Sequence, residues 1–193
     1  MMNILGDLKW FLGIHVLRDR AQKTLWLSQE AYIEKLANQF QVDLTDRLPD
    51  TPMGTELFPS QETATRALIH LFQRKTGSIL FAAISTRPDV AFAASRLARF
   101  NTNLSEEHYK AADRVIQYLY ATRGKALRYG GDEAGGARAL IYASDASFAD
   151  NTLDRKSSQG YIFLLFGGPI AWKANKQDTI TTLSTEAELL ALS

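Results

Sequence analysis

Two carboxylates are placed where they could do chemistry. Asp145 follows the apolar run Ala139-Leu140-Ile141-Tyr142-Ala143-Ser144, which has the texture of a strand. Glu188 lies within Leu183-Ser184-Thr185-Glu186-Ala187-Glu188-Leu189-Leu190-Ala191-Leu192, which reads as a helix start. A strand aspartate and a helix glutamate that converge would hold Mg²⁺, a hard cation that prefers carboxylate oxygens and water. Phosphodiester hydrolysis by paired ions about 3.5–4 Å apart calls for further carboxylates to fix both. Five residues follow Glu188. The expectation is part of a nuclease-type site, short of its full ligand set.

Bulk properties narrow the setting. The chain has 193 residues, 46% of them apolar, and a net charge of +1, which argues against a strongly basic nucleic-acid coat. Charge is uneven locally: Arg87 to Arg128 carries eight Lys/Arg against four Asp/Glu, so this stretch is expected to present a mildly positive face. The absence of cysteine removes disulfides and thiolate zinc sites together. His15, His70 and His108 are widely spaced and show no metal-ligand pattern. With no apolar run near the roughly 20 residues that cross a bilayer and no basic-then-apolar leader, the expectation is an intracellular chain, cytoplasmic or nuclear, with no membrane partner.

The elements that must position the carboxylates follow from periodicity and punctuation. Trp10 to Val16 and Lys23 to Ser28 are expected to pair as a hairpin around the polar turn Leu17-Arg18-Asp19-Arg20-Ala21-Gln22. Ser28 then caps a helix whose apolar side is Ile33, Leu36, Ala37 and Phe40. Residues 43–66, with three of the five prolines, read as an extended linker. Helical texture returns over Ala67 to Ser85. Thr86-Arg87-Pro88-Asp89 marks a new helix start running to about Phe100, and Ser105-Glu106-Glu107 caps another with Ala111, Ala112, Val115, Ile116 and Leu119 buried. Four of the twelve glycines between Gly130 and Gly136 make a joint. Beyond it come strands Ala139–Ser144, Gly160–Phe166 and Ile170–Lys173, a short extended piece at Thr179 to Leu183, and the helix bearing Glu188.

Several of these segments match a known family in order. Gly6-Asp7-Leu8-Lys9-Trp10-Phe11-Leu12-Gly13-Ile14 resembles the stretch just after the polymerase palm of Ty1/copia-type retrotransposon Pol polyproteins. Thr51-Pro52-Met53, Thr86-Arg87-Pro88-Asp89 and Ser95-Arg96-Leu97-Ala98-Arg99-Phe100 resemble its thumb-to-connection stretch. The segments Ser144–Asp150, Arg155–Tyr161, Ile170-Ala171-Trp172 and Ser184–Glu188 resemble the start of its ribonuclease H domain. The resemblance implies RNA-templated DNA synthesis plus removal of the RNA strand. It implies an α+β chain: hairpin and helix at 1–42, linker at 43–66, helical connection at 67–130, and a truncated ribonuclease H-like unit at 137–193. That unit comprises a three-stranded antiparallel sheet and the start of its first helix. The palm's paired aspartates have no counterpart here, and the later ribonuclease H elements that bear the remaining carboxylates are also missing.

The resemblance assigns Asp145 as the first metal and catalytic ligand. Glu186 and Glu188 lie about 200° apart on a helix, so only one can face an ion, and Glu188 is preferred because the aliphatic run after it resembles the family's packed helix. Asp150-Asn151 suits a turn. Arg155 and Lys156 are candidates for hybrid phosphates, as are Arg96, Arg99, Lys110 and Arg114 in the helical middle. The implied partners are an RNA–DNA hybrid or duplex and the remainder of the polyprotein, and the implied cofactor is weakly held Mg²⁺. The expectation is a reverse transcriptase/ribonuclease H fragment, inactive alone. The alternatives are a non-catalytic module that binds nucleic-acid backbone, or a decayed genomic copy.

Overall fold

The computed structural model describes residues 6–54, 56–61, 63–130, 140–147 and 156–177. Among them are four α-helices and two antiparallel sheets, an α+β architecture as expected. The first sheet has strand order β1-β2-β3-β4, formed by Trp10–Phe11, Ile14–Asp19, Thr24–Ser28 and Leu127–Gly130. The second has order β5-β6-β7, formed by Ile141–Ser147, Ser158–Leu165 and Gly168–Lys176.

The expected first hairpin is redrawn. Leu12 and Gly13 take φ of 49° and 80°, a left-handed pair of the kind that closes two-residue hairpins. They split the expected Trp10–Val16 strand into β1 and β2, with Phe11 opposite Ile14. The polar turn is shorter than expected, because Leu17 and Arg18 extend β2 to face Trp26 and Leu25. Asp19 accepts the Gln22 amide at 3.0 Å and closes the loop there.

Helix α1 (Glu30–Gln39) buries Ile33, Leu36 and Ala37, while Phe40 is half-buried against the same core. Ser28 Oγ accepts the Glu30 amide at 3.2 Å, so it supplies the expected cap from one position further out. Helix α2 (Arg66–Ser85) starts at Thr65, whose hydroxyl accepts the Leu68 amide. A 3₁₀ turn at Pro88–Val90 leads into α3 (Ala91–Ala98), and α4 is Glu106–Ala121. The stripe Ala112, Val115, Ile116 and Leu119 is fully buried.

The described residues of 43–66 contain no strand and, before Arg66, no helix, yet they are fastened down. Leu57 is buried in the same core as Val42 and Phe72, and Leu44 and Met53 pack against that core. Gln117 donates to the Asp43 carbonyl and Asn103 to the Ser60 carbonyl, at 2.8 and 3.4 Å. One core therefore runs from α1 through this strap to α4. Strand β4 was not foreseen: it brings the chain back to pair with β3, with Leu127 opposite Leu27.

The second sheet is docked on this body. Trp172 Nε1 donates to the Ala83 carbonyl near the end of α2 at 2.7 Å, satisfying one acceptor that a helix end leaves free. The Tyr129 hydroxyl donates to the Pro169 carbonyl at 2.6 Å, and the Gly130 amide to the Phe166 carbonyl at 2.8 Å. A side chain at Gly168 would collide with the Arg128 carbonyl and the Tyr129 ring, so this approach needs glycine.

A trough beside Asp145

Directly paired residues share a face of a sheet, so the ladder itself places Asp145. Asp145 pairs with Gly160, and Gly160 with Ala174, giving one cross-strand row of carboxylate, hydrogen and methyl. The flanking rows on the same face are Ala143–Ile162–Trp172 and Ser147–Ser158–Lys176. Two small residues beside the carboxylate leave a depression in the sheet. Pro88 and Phe92 of the helical middle form its opposite wall, enclosing about 390 Å³. Strand β5 is an edge of the sheet among the described residues, and Asp145 is exposed on it.

The donors near Asp145 are oxygens, the carboxylate with the hydroxyls of Ser147 and Ser158 on its face, and that chemistry suits a hard cation. No cluster of three or more His, Cys, Asp or Glu that could hold a metal exists among the described residues. Glu188, Glu186, Asp150 and Arg155 lie outside the described residues, as do the expected extended piece at Thr179 to Leu183 and the helix after it.

The expected phosphate contacts are spread over different surroundings. Arg96 is only 7% exposed and lies over the Phe92 ring at 5.9 Å, so its charge is largely inside the fold. Arg114 donates to Thr51 Oγ1 at 3.1 Å and lies against Gly54, holding the strap to α4. Arg99 and Lys156 are half-buried and each is engaged within the molecule. Lys110 is exposed and pairs with Glu106 one turn earlier at 2.7 Å. Each partner shifts the other toward its charged form, Glu106 downward and Lys110 upward, through the hydrogen bond first and the charge second. The four helical cations therefore do not make one open row.

Sequence reasoning missed a buried polar cluster at Thr86-Arg87-Pro88-Asp89. Arg87 is 1% exposed and clasps Asp89 with Nε at 2.9 Å and Nη2 at 2.7 Å. It also reaches the Thr122 carbonyl and hydroxyl at the end of α4. The Tyr118 hydroxyl donates to Asp89 at 2.9 Å, and Lys125 Nζ lies 3.8 Å away. Burial alone would raise the Asp89 carboxyl, but the hydrogen bonds and charge of Arg87, with Tyr118, outweigh it and hold it below its ordinary value. The cluster locks the Pro88 turn, one wall of the trough, onto α4. An Arg and an Asp flanking a proline was the available signal, since the proline fixes the backbone between them and brings both side chains to one side of a tight turn.

His108 was also missed. It fills the place where a capping box carries Glu or Gln, its Nδ1 accepting the Ser105 amide at 2.8 Å. A ring nitrogen that accepts from an amide carries no proton. Desolvation agrees by pushing this histidine below its ordinary value, against smaller opposing effects of the Phe58 backbone and Glu107.

Comparison with known proteins gives the chain its relatives. It is 33% identical over 98% of its length to the retrovirus-related Pol polyprotein from transposon TNT 1-94 of Nicotiana tabacum. It is 34% identical over all of its length to the putative transposon Ty5-1 protein YCL074W of Saccharomyces cerevisiae. Over 61% of its length it is 38% identical to secreted RxLR effector protein 161 of Plasmopara viticola, covering 80% of that protein. The chain spans 14% of the tobacco polyprotein and 61% of the yeast protein. No family model and no solved structure matches. Identity of 32–34% to transposon proteins over nearly the whole chain shows the lineage: the chain belongs to the Ty1/copia-type retrotransposon Pol family.

Proposed function

We propose that this chain is a working part of a reverse transcriptase/ribonuclease H, in which the second sheet carries the first ligand of the metal site that cuts the RNA strand of a hybrid. The observation that carries the reading is the row Asp145–Gly160–Ala174: an exposed strand carboxylate beside two residues too small to cover it. A carboxylate kept only for structure is usually tied to a cap or a cation. In this reading Glu188 joins Asp145 on Mg²⁺, whose role would be to polarise phosphate and activate water. Two carboxylates are fewer than a two-ion site uses, so the chain contributes ligands rather than turnover, and DNA synthesis belongs to the whole polyprotein.

Mn²⁺, a paramagnetic stand-in for Mg²⁺, tests this on the chain as it is. Titration followed by NMR should broaden the amide signals around Asp145 first, with weak affinity, and Asp145→Asn should abolish the effect without changing the rest of the spectrum. Broadening centred elsewhere would overturn the assignment. A Mg²⁺-dependent cleavage of RNA–DNA hybrid by this chain would overturn the view that it lacks turnover alone.

A further inference from the structure

We infer that the chain holds nucleic-acid backbone through a groove on the first sheet, built by Lys9, Arg18 and Lys23, rather than through the cations of the helical middle. This rests on the nucleic-acid reading above and names the surface for it.

The groove encloses about 1410 Å³ and crosses one face of the sheet. Its floor is the cross-strand row Arg18–Leu25–Tyr129, a guanidinium followed by an aliphatic and an aromatic surface. Lys9 and Leu8 form one wall, where the Lys9 carbonyl accepts the Val16 amide at 2.8 Å. Phe166, from the turn between β6 and β7, forms the other. Lys23 stands at the end of the β2–β3 loop.

The charge here is in excess. Arg20 is consumed by Asp7 at 2.6 Å, and the Asp19 carboxylate is turned to the Gln22 amide. Lys9, Arg18 and Lys23 are exposed, and Lys9 and Arg18 lie near enough to Asp7 to add to the pull of Arg20 on its carboxyl. Four cations, Lys9, Arg18, Arg20 and Lys23, against two carboxylates, Asp7 and Asp19, leave net positive potential over an open groove whose floor is partly apolar. Phosphates would sit on the cations while sugars or bases lie on Leu25 and the Tyr129 ring. The helical middle offers less, because Arg96 is buried, Arg114 is spent on the strap and Lys110 on Glu106.

The test is fluorescence anisotropy of the full chain with a labelled RNA–DNA hybrid across a salt series. Three phosphate contacts should give a log–log salt slope with a share of roughly −2.7 from this groove. The variant Lys9→Gln/Arg18→Gln/Lys23→Asn should lose that share and bind on the order of 10²-fold more weakly near 0.1 M salt. Asparagine is chosen at Lys23 because that residue has φ of 52°, which asparagine tolerates. All three side chains are exposed, so circular dichroism and melting should not change. Lys110→Gln should bind like the parent. Hybrid binding that survives the triple change, or that falls as far with Lys110→Gln, overturns the groove and leaves the nucleic-acid reading standing. A folded parent chain that binds no hybrid at low salt overturns both.

Discussion

Replacing Asp89 by asparagine should destabilise this chain more than replacing Arg87 by methionine, and burial is the reason. The Arg87 side chain is 2% exposed and that of Asp89 29%. Asp89→Asn keeps the shape but removes the countercharge and turns an amide group toward guanidinium donors. A buried pair broken from one side costs about 3–5 kcal/mol, and the partial exposure of the Asp89 side chain trims this to about 2–4 kcal/mol. Arg87→Met removes the ion that is hardest to bury and leaves a carboxylate that still has Tyr118, Lys125 and water, a cost of about 1–2 kcal/mol. For a chain of this size the asparagine variant should melt on the order of 10 °C lower, measured by circular dichroism and urea titration. The acid behaviour fixes the sign. Because the folded Asp89 carboxyl lies below its ordinary 3.8, its contribution is present above that value and is lost as pH falls through the lower folded value. Parent and Asp89→Asn stabilities should therefore converge below about pH 4. An asparagine variant no worse than Arg87→Met, or a gap unchanged in acid, would refute this account of the cluster.

Three further outcomes follow from the packing. His108→Gln should keep the capping box, since glutamine also accepts at that position, while removing a pH slope: the parent loses stability as pH falls below 6.5 toward the lowered folded value, and the variant does not, by urea midpoints at pH 5 and pH 7.5. Leu57→Ala should cost about 2–4 kcal/mol, because Leu57 is a core residue carried by the strap; a cost near zero would mean the strap is loose. Trp172→Phe should cost about 1 kcal/mol for the indole hydrogen bond to Ala83 and raise amide exchange at the end of α2, and unchanged exchange there would count against that dock.

The elements with regular period were legible in the sequence. The apolar stripe of α4, the α1 face and the three strands of the second sheet emerge near the expected places because each buries one face at its own period. What escaped was decided by partners far along the chain. Leu127–Gly130 is four residues long, too short to announce a strand, and becomes one because β3 offers an edge about a hundred positions earlier. The strap has no periodicity at all, so its proline content suggested a linker, yet Leu57 is drawn into the core by contacts no local pattern encodes. Arg96 shows the same limit at the level of charge: a basic residue between Ser95 and Leu97 gives no sign that its helix turns it inward. Asp145 was expected just past the end of its strand, and the ladder instead places it inside β5; the small residues that open the trough, Gly160 and Ala174, are found only through that ladder.

The second sheet joins the groove and the trough into one problem. Phe166, a wall of the groove, is the turn of the sheet that carries Asp145, and its carbonyl is held by the Gly130 amide at the end of the first sheet. Gly130 has φ of 79°, and a side chain there would collide with the Lys23 carbonyl, so the first sheet, the groove cation and the dock share one glycine. On the other side, Trp172 borders the trough and bonds to α2, while the Arg87–Asp89 clasp holds Pro88 against it. On the proposed reading, cations that bind phosphate and a carboxylate that binds metal would be useful together only if their spacing is fixed, because a strand held at one must be presented at the other. The docking bonds come from two separate places in the chain, Ala83 on α2 and the adjacent pair Tyr129 and Gly130 on β4, which resists hinging about either one. Loosening one bond should therefore affect stability before it alters that spacing.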